Sequence, residues 1–117
     1  MDFKYKKKED ENTRKKESQS LLEKYPDKVP VVLEKDPSCK LLELKKTKFL
    51  LDKKYRIDQF QEMIRRKSQI NEGEALFLQA RTKYSLSGER TIESVYNSYK
   101  DKDGFLYIMY TTELIFG

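Results

Sequence analysis

A run of six apolar and aromatic residues near the end of the chain constrains the fold more than any other feature. Residues 105–110 read Phe-Leu-Tyr-Ile-Met-Tyr, and the turn-like segment 101–104 precedes them. A short continuous apolar run bounded by a turn is typical of a strand buried on both faces. The chain then continues to Gly117 without a further turn or capping signal. The sequence therefore predicts a central strand, followed by a tail that can present the carboxylate of its last glycine.

The composition argues against an enzyme. The chain contains no histidine, which excludes Ser-His and Cys-His nucleophile pairs and every histidine-ligated metal site. The single cysteine, Cys39, permits neither an intramolecular disulfide nor a thiolate zinc cluster, and we interpret it as a structural thiol. A glycine-rich phosphate loop is also lacking. We therefore expect a protein that is not an enzyme and that holds no cofactor or metal.

Charge and hydropathy indicate a small cytosolic domain. A single free thiol fits a reducing compartment. No window approaches the about 18 apolar residues of a membrane span, and residues 1–6 lack the apolar core of a signal peptide. The formal net charge of +5 permits contact with nucleic acid, anionic lipid or acidic peptides without choosing among them. A chain of 117 residues is expected to form one domain with one core.

Hydrophobic periodicity and turn signals predict a definite order of helices and strands. A helix begins near Asp10 and ends before Pro26, while residues 1–9 are expected either to form a short separate helix or to stay mobile. The elements that follow are a strand at 28–34, a strand at 48–51, a helix at 57–68 with a capping box formed by Asp58 and Gln61, a strand at 75–78, a short helix at 91–99 and a strand at 105–110.

This order resembles the β-grasp of ubiquitin. Two opening strands, a crossing helix and a last strand in the middle of the sheet are its pattern. The predicted fold class is therefore α+β, a ubiquitin-like β-grasp with a four-stranded mixed sheet and two extra N-terminal helices. We expect residues 1–26 to form a helical extension packed on a 27–117 ubiquitin-like domain, the two together making a single globular unit.

Particular residues carry a closer resemblance, which runs from about Tyr5 to Gly117. The chain resembles the autophagy-related ubiquitin-like modifiers, the family of yeast autophagy-related protein eight, GABARAP and the microtubule-associated light chains. The matching pieces are Lys24-Tyr25-Pro26-Asp27-Lys28-Val29-Pro30-Val31-Val32, Lys48-Phe49-Leu50, Gln59-Phe60, Ile64-Arg65-Arg66-Lys67, Ala75-Leu76-Phe77, Tyr99-Lys100-Asp101, Asp103-Gly104-Phe105-Leu106-Tyr107, Tyr110, Glu113 and Phe116-Gly117.

The resemblance implies a function. In this family an activating enzyme and a conjugating enzyme transfer the C-terminal glycine, here Gly117, to the amine of phosphatidylethanolamine, and a cysteine protease removes it again. The lipidated modifier then recruits autophagy receptors and adaptors that carry an aromatic-x-x-aliphatic motif. The resemblance also implies a monomer that is cytoplasmic until lipidation places it on the autophagosome membrane, with no nucleic-acid partner.

The resemblance also implies a peptide groove along an exposed edge strand at residues 48–51. Alternating side chains of an extended strand would line pockets on its two sides. The residues expected on the aromatic side are Lys48, Leu50, Glu17, Leu21, Pro30, Val32 and Phe105. Those expected on the aliphatic side are Phe49, Leu51, Phe60, Met63 and Ile64, and Lys28, Lys46 and Lys67 complete the predicted peptide-binding set. The alternative interpretation is that these are ordinary core residues with no role in binding.

Two features leave the partners open. Residues 45–67 hold nine basic groups against three acids, which could attract acidic or phosphorylated residues beside a motif or could simply be a solvated face. The chain also departs from the family pattern at residues 52–58, at 81–87 and at Gln79, which affects the predicted partner preference. The alternative function is a basic module for RNA or anionic membrane that uses Tyr55, Tyr84 and Phe77.

Overall fold

The fold combines short helices with short strands. The computed structural model describes residues 2–81 and 84–112. Its elements are α1 (Lys4–Lys8), α2 (Glu11–Lys24), β1 (Lys28–Lys35), β2 (Lys48–Asp52), α3 (Ile57–Ser68), β3 (Phe77–Gln79), α4 (Ile92–Tyr99) and β4 (Leu106–Thr111). Within these residues no helix combines the length and apolarity needed to cross a membrane.

The strands form one mixed sheet in the order β2-β1-β4-β3. β1 pairs with β2 antiparallel and with β4 parallel, and β3 pairs with β4 antiparallel. All six residues of β4 are buried. The apolar run near the end of the chain is therefore an interior strand, and the predicted α+β ubiquitin-like fold is confirmed.

The two faces of the sheet are covered by different helices, because successive residues of a strand point to opposite faces. On one face α3 and α4 bury Phe60, Ile64 and Val95 against β1 and β4. The opposite face carries a second cluster of side chains from the helical N-terminal segment and from β1 and β4, namely Phe3, Tyr5, Leu21, Val32, Phe105, Tyr107 and Met109. The N-terminal helices thus add a third layer to the sheet.

Three helix ends lie where the sequence signals predict them. The Asp10 side chain accepts a hydrogen bond of 2.8 Å from the backbone N–H of Thr13 and begins α2. Tyr25, the residue before Pro26, ends the same helix. Thr91 Oγ1 accepts a bond of 3.2 Å from the Ser94 N–H and begins α4.

The predicted capping box at Asp58 and Gln61 is wrong. The helix begins two residues earlier than such a cap requires, because Arg56 is the N-cap residue of α3. Gln59 Oε1 accepts the Arg56 backbone N–H at 2.9 Å, and Gln61 Nε2 instead donates to the Leu76 carbonyl at 3.0 Å. Gln61 therefore ties α3 to the segment before β3.

The third strand is displaced from its predicted position. It spans Phe77–Gln79 rather than 75–78, because its bounds are set by pairing with Thr111, Tyr110 and Met109 of β4. Leu76 is buried before the strand begins.

The N-terminal segment, for which the sequence allowed either a short helix or a mobile chain, contains α1. The Glu34 carboxylate accepts the Lys4 N–H at 2.7 Å and the Tyr5 N–H at 3.1 Å, which holds the start of α1 against β1.

Candidate functional site

The outer edge of β2 is the candidate functional site. β2 lies at the end of the sheet, with β1 on one side and no strand on the other among residues 2–81 and 84–112. Lys48 and Asp52 are exposed, and the three residues between them are half-buried. An edge strand presents unpaired backbone donors and acceptors that an extended peptide can meet. The outer edge of β2 and the two surfaces that flank it are called the candidate groove below.

The register of β1 and β2 assigns the β2 side chains to these two surfaces. Lys48 lies opposite Val32 and Leu50 opposite Pro30, whereas Phe49 lies opposite Val31. Directly opposed residues of an antiparallel pair share a face. Lys48 and Leu50 therefore lie on the side of α1 and α2, and Phe49 and Leu51 on the side of α3, as the alternation predicts.

A polar cluster lies on the α2 side of the candidate groove. Lys48 Nζ is 2.7 Å from Glu17 Oε2, and the Tyr5 hydroxyl donates to Glu17 Oε1. Lys48 Nζ also lies 5.0 Å from the centre of the Tyr5 ring, close enough for a cation–π contact. The Tyr5 ring packs edge-on against Phe105, with the ring centres 5.4 Å apart. The polar cluster therefore lies over the buried apolar side chain of Phe105.

The protonation states in this cluster follow from its contacts. Burial raises the pKa of Glu17, but the hydrogen bonds from Lys48 and Tyr5 outweigh it and hold that pKa below its usual value. Burial and then the hydrogen bond to Glu17 raise the pKa of the Tyr5 hydroxyl above its usual value. At neutral pH the carboxylate is therefore ionised and the phenol remains a donor to it.

The predicted lining on this side separates into accessible and buried residues. Leu21 and Leu50 are half-buried and Glu17 is partly exposed, so a ligand can reach them. Pro30, Val32 and Phe105 are buried, with Val32 at 0% and Phe105 at 1% exposure. These three support the surface from below and offer it no area of their own in this structure.

The α3 side of the candidate groove is an aromatic and thioether surface. Phe49, Leu51, Tyr55 and Met63 are half-buried and pack on the core. The Phe49 and Tyr55 rings approach Phe60 edge-on, with ring centres 5.7 Å and 6.1 Å away. Phe60 and Ile64 are both 0% exposed and belong to the layer beneath. Tyr55 OH donates to the Gln59 carbonyl at 3.2 Å, which fixes its ring at the rim.

The basic residues around the candidate groove differ in the contacts that their side chains make. Lys46 Nζ lies 4.9 Å from the centre of the Phe49 ring, and Lys28 Nζ is 3.8 Å from Asp52 Oδ2. Lys67 is exposed in the last turn of α3. Several other cations of residues 45–67 are held elsewhere: Lys53 pairs with Glu93, Arg56 with Asp58, and Arg65 donates to the Glu74 carbonyl.

Tyr5 is the site residue that sequence reasoning missed. It reaches Glu17 and Lys48 only because Glu34 holds the start of α1 against β1, a contact between residues 29 or more positions apart. The only sequence signal was the aromatic spacing of Phe3 and Tyr5 ahead of a helix. Such a signal does not specify which face of a sheet the segment meets.

The remaining predictions concern Gly117, Cys39 and metal binding. Gly117 lies outside the described residues. Cys39 is buried, and its Sγ is 4.0 Å from Thr112 Oγ1. In the described part of the chain no three His, Cys, Asp or Glu side chains are grouped so that they could hold a metal ion.

Comparisons with known proteins converge on one family. Residues 13–117 match the family model described as "Autophagy protein Atg8 ubiquitin like". The chain is 36% identical over 104 residues to autophagy-related protein 8h of Arabidopsis thaliana, a match that covers 89% of this chain and 87% of that protein. It is also 36% identical over 105 residues to human microtubule-associated protein 1 light chain 3 gamma, covering 89% of this chain and 71% of that protein. The crystal structure of Trypanosoma brucei ATG8 superposes with a TM-score of 0.89 at 32% identity over 100% of both chains.

Proposed function

The chain belongs to the Atg8 family of ubiquitin-like autophagy proteins, and from this premise we propose that it acts as a lipid-conjugated modifier and adaptor. The observation that carries the proposal is the match over residues 13–117, which includes both the edge strand and the C-terminal glycine. We propose that Gly117 is joined to phosphatidylethanolamine and that β2 then receives receptor peptides. The protein itself performs no catalysis in this scheme.

The proposed conjugation is an acyl transfer. An activating enzyme joins the Gly117 carboxylate to AMP, with release of pyrophosphate from ATP. The thiol of an enzyme cysteine then displaces AMP and forms a thioester with the Gly117 carbonyl. The amine of phosphatidylethanolamine then attacks the thioester carbonyl, which forms an amide and releases the thiol of the conjugating enzyme. This chain supplies the acyl group, and glycine suits the role because it has no Cβ to obstruct a narrow enzyme channel. A deconjugating cysteine protease would hydrolyse this amide with water, which frees the Gly117 carboxylate and the amine of phosphatidylethanolamine.

The proposed adaptor activity is strand addition to β2. A peptide with an aromatic-x-x-aliphatic motif would pair with the backbone of residues 48–52. Its aromatic side chain would lie against Leu50 and Leu21 on the α2 side, and its aliphatic side chain against Leu51 and Met63 on the α3 side. The exposed edge and the two separate surfaces support this arrangement, since alternate side chains of an extended peptide point to opposite sides.

The basic surface supports a role in attracting acidic partners more than in binding RNA. Tyr55 packs on Phe60 and bonds to the Gln59 carbonyl, which restricts the ring that would have to stack on a base. Lys46 and Lys48 remain at the edge of the candidate groove. We propose that they favour peptides with acidic residues beside the motif, in a salt-dependent way.

A reconstituted lipidation reaction tests the proposal. The chain ending at Gly117 is incubated with the cognate activating and conjugating enzymes, ATP and liposomes that contain phosphatidylethanolamine. We expect a faster-migrating lipidated species in gel electrophoresis. Deletion of Gly117 should abolish it, whereas Gly73→Ala, a change with no atom within 4 Å of the added Cβ, should not. Wild-type protein that stays unmodified under these conditions would contradict the conjugation proposal.

A further inference from the structure

An arginine side chain lies along α4 and contacts two serines of that helix. Arg90 comes just before Thr91, the N-cap residue of α4. Its Nε donates to Ser94 Oγ at 3.2 Å, and its Nη2 donates at 2.9 Å both to the Ser94 carbonyl and to Ser98 Oγ. Among residues 2–81 and 84–112, no carboxylate forms an ion pair with Arg90. The guanidinium therefore carries a positive charge that these residues do not neutralise.

The position of this guanidinium is fixed from several sides. Its centre lies 5.6 Å from the centre of the Tyr99 ring, close enough for a cation–π contact. The backbone of Arg90 is held as well, because its carbonyl accepts the Ile57 N–H at 2.9 Å and its N–H donates to the Ser87 carbonyl at 3.2 Å. A guanidinium has five N–H donors, and the three bonds to α4 leave the two on Nη1 for a further acceptor. Arg90 is thus preorganised to bind an anion.

Of the two serines, Ser98 is the one that can react. Ser94 is half-buried, and its hydroxyl donates to the Thr91 carbonyl at 2.9 Å, so it stabilises the first turn of α4. Ser98 is exposed in the last turn, where its oxygen accepts from Arg90 and its O–H has no acceptor in the described part of the chain. A phosphate on this oxygen would place three acceptor oxygens beside the guanidinium.

Arg90 decides whether a phosphate is tolerated at this position. A phosphate in the last turn of a helix is normally unfavourable, because the negative end of the helix dipole repels it. An adjacent arginine offsets that repulsion with charge-assisted hydrogen bonds. The combination of an exposed serine and an unpaired, fixed guanidinium therefore suits a modification that adds negative charge.

The residues after Ser98 indicate the class of enzyme that would modify it. Asp101 follows three positions later, and Ser20 with Glu23 is the other serine with an acid at that spacing. Acid-directed serine kinases select their substrates by such a charge pattern. The Asp101 carboxylate lies 2.5 Å from Lys6 Nζ, so a kinase would have to compete with Lys6 for it. The end of a helix can open locally, which would present Ser98 in an extended conformation.

We propose that Ser98 is a phosphorylation site for an acid-directed serine kinase and that Arg90 holds the phosphate. In the reaction Ser98 Oγ attacks the γ-phosphorus of ATP and forms the O–P bond. The bond from that phosphorus to the bridging oxygen breaks, ADP leaves, and the hydroxyl proton passes to the base of the kinase. The combined charge of Arg90 and residue 98 then changes from +1 to about −0.5 to −1.

A kinase reaction tests the modification. The full chain is incubated with ATP and a casein-kinase-type enzyme as the acid-directed probe, and the products are mapped by mass spectrometry, which separates Ser98 from Ser20. We expect phosphate on Ser98, and Asp101→Asn should lower its initial rate roughly tenfold. Lys6→Met is the matched control, because it breaks the same ion pair but keeps the acid, and it should not lower the rate.

Titration of the phosphate tests the role of Arg90. Phosphoserine is encoded at position 98, and its pKa is followed by phosphorus NMR from pH 4 to 8. The second pKa of a phosphate ester is about 6, and an adjacent cation lowers it. We expect the pKa in the protein with Arg90 to be about 0.5–1 unit lower than in Arg90→Gln, with a smaller difference at high salt. Arg90→Lys keeps the charge without the planar fork and should give an intermediate value.

The neighbouring charges do not obscure this comparison. Glu93 pairs with Lys53, Asp101 pairs with Lys6, and Lys100 lies over the Tyr96 ring. All of them are present in every Arg90 variant, so the difference in pKa isolates the guanidinium.

Each result has a definite meaning. A chain that takes no phosphate on Ser98 refutes the modification, and an equal loss of rate in Asp101→Asn and Lys6→Met refutes recognition by an acid-directed kinase. Identical titrations of the phosphate in the protein with Arg90 and in Arg90→Gln refute the role of Arg90. Neither experiment uses lipidation enzymes or a motif peptide, so a negative result leaves the proposed function unaffected.

Discussion

Arg14 Nη1 lies 2.6 Å from Asp103 Oδ2, and this ion pair joins α2 to the turn that precedes the central strand β4. The Asp103 side chain is 0% exposed and that of Arg14 is 11% exposed. The same carboxylate accepts the Tyr107 hydroxyl and the Phe105 N–H, and Ser18 Oγ donates to the Asp103 carbonyl. Burial and then the bond to Asp103 raise the pKa of Tyr107 above its usual value, so its hydroxyl remains a donor. One buried carboxylate therefore organises the contact between the added N-terminal helix and the core.

Replacing Arg14 should destabilise the protein strongly. Arg14→Leu leaves the Asp103 carboxylate buried without a cation, and we expect a loss of about 3 kcal/mol in the free energy of unfolding, since removing one partner of a buried ion pair costs about 3–5 kcal/mol. Urea unfolding followed by circular dichroism measures this. Lys102→Ala is the matched control, because the Lys102–Glu11 pair is exposed and should be worth less than about 1 kcal/mol. Equal losses in the two variants would show that the buried pair contributes no more to the free energy of unfolding than the exposed pair.

Both the backbone angle at position 104 and the closeness of the Ser18 side chain require glycine there. Its φ is +93°, and a Cβ built there would overlap Ser18 Oγ and stand 3.0 Å from Ser18 Cβ. We expect Gly104→Ala to lower the free energy of unfolding by about 1–3 kcal/mol. Gly73→Ala is the control, since its added Cβ would meet nothing within 4 Å and should be close to neutral. Thermal or urea unfolding that shows no difference between the two variants would contradict this reading of the turn.

Local signals predicted much of the fold because they act over a few residues. Each of these signals lies within one turn or one strand of the feature that it specifies. They are the apolar run of β4, the helical spacing of α3 and the caps at Asp10 and Thr91. The position of β3 was displaced because its bounds depend on its register with β4.

The candidate groove was predicted less completely, and the reason is again distance along the chain. The edge strand and the two sides of β2 follow from alternation. The part played by Tyr5 does not, because it depends on the Glu34 carboxylate meeting the start of α1 across the sheet.

Leu50 should contribute to peptide affinity through the α2 side of the candidate groove. We expect Leu50→Ala to weaken binding of an aromatic-x-x-aliphatic peptide by roughly 1–3 kcal/mol, about fivefold to a hundredfold, because it removes accessible apolar surface beside the aromatic anchor. Calorimetry measures the change. Leu42→Ala is the control, since Leu42 is 66% exposed and lies outside the candidate groove. An unchanged affinity for the Leu50 variant would place the peptide elsewhere.

The Glu17–Lys48 pair should make stability fall in acid in a way that can be isolated. The hydrogen bonds from Lys48 and Tyr5 outweigh burial and lower the pKa of Glu17 in the folded protein below its ordinary 4.5. A carboxylate with a lowered folded pKa stabilises the protein fully above its unfolded pKa, and the contribution is lost as the pH falls through the folded value. Other carboxylates behave alike, so the informative quantity is the difference between the wild type and Glu17→Gln.

We expect that difference in the free energy of unfolding to be about 0.5–1 kcal/mol, a small value because both side chains are partly exposed. It should be constant from pH 7 to about pH 5 and should shrink below pH 4.5, the pKa of the unfolded carboxyl. Urea unfolding across this range provides the measurement. Repeating it in the Lys48→Met background removes the main stabilising partner, so most of the pH dependence of the difference should disappear. A pH dependence that survives Lys48→Met unchanged would assign it to Tyr5 or to another neighbour of Glu17, and Tyr5→Phe would then distinguish these two sources.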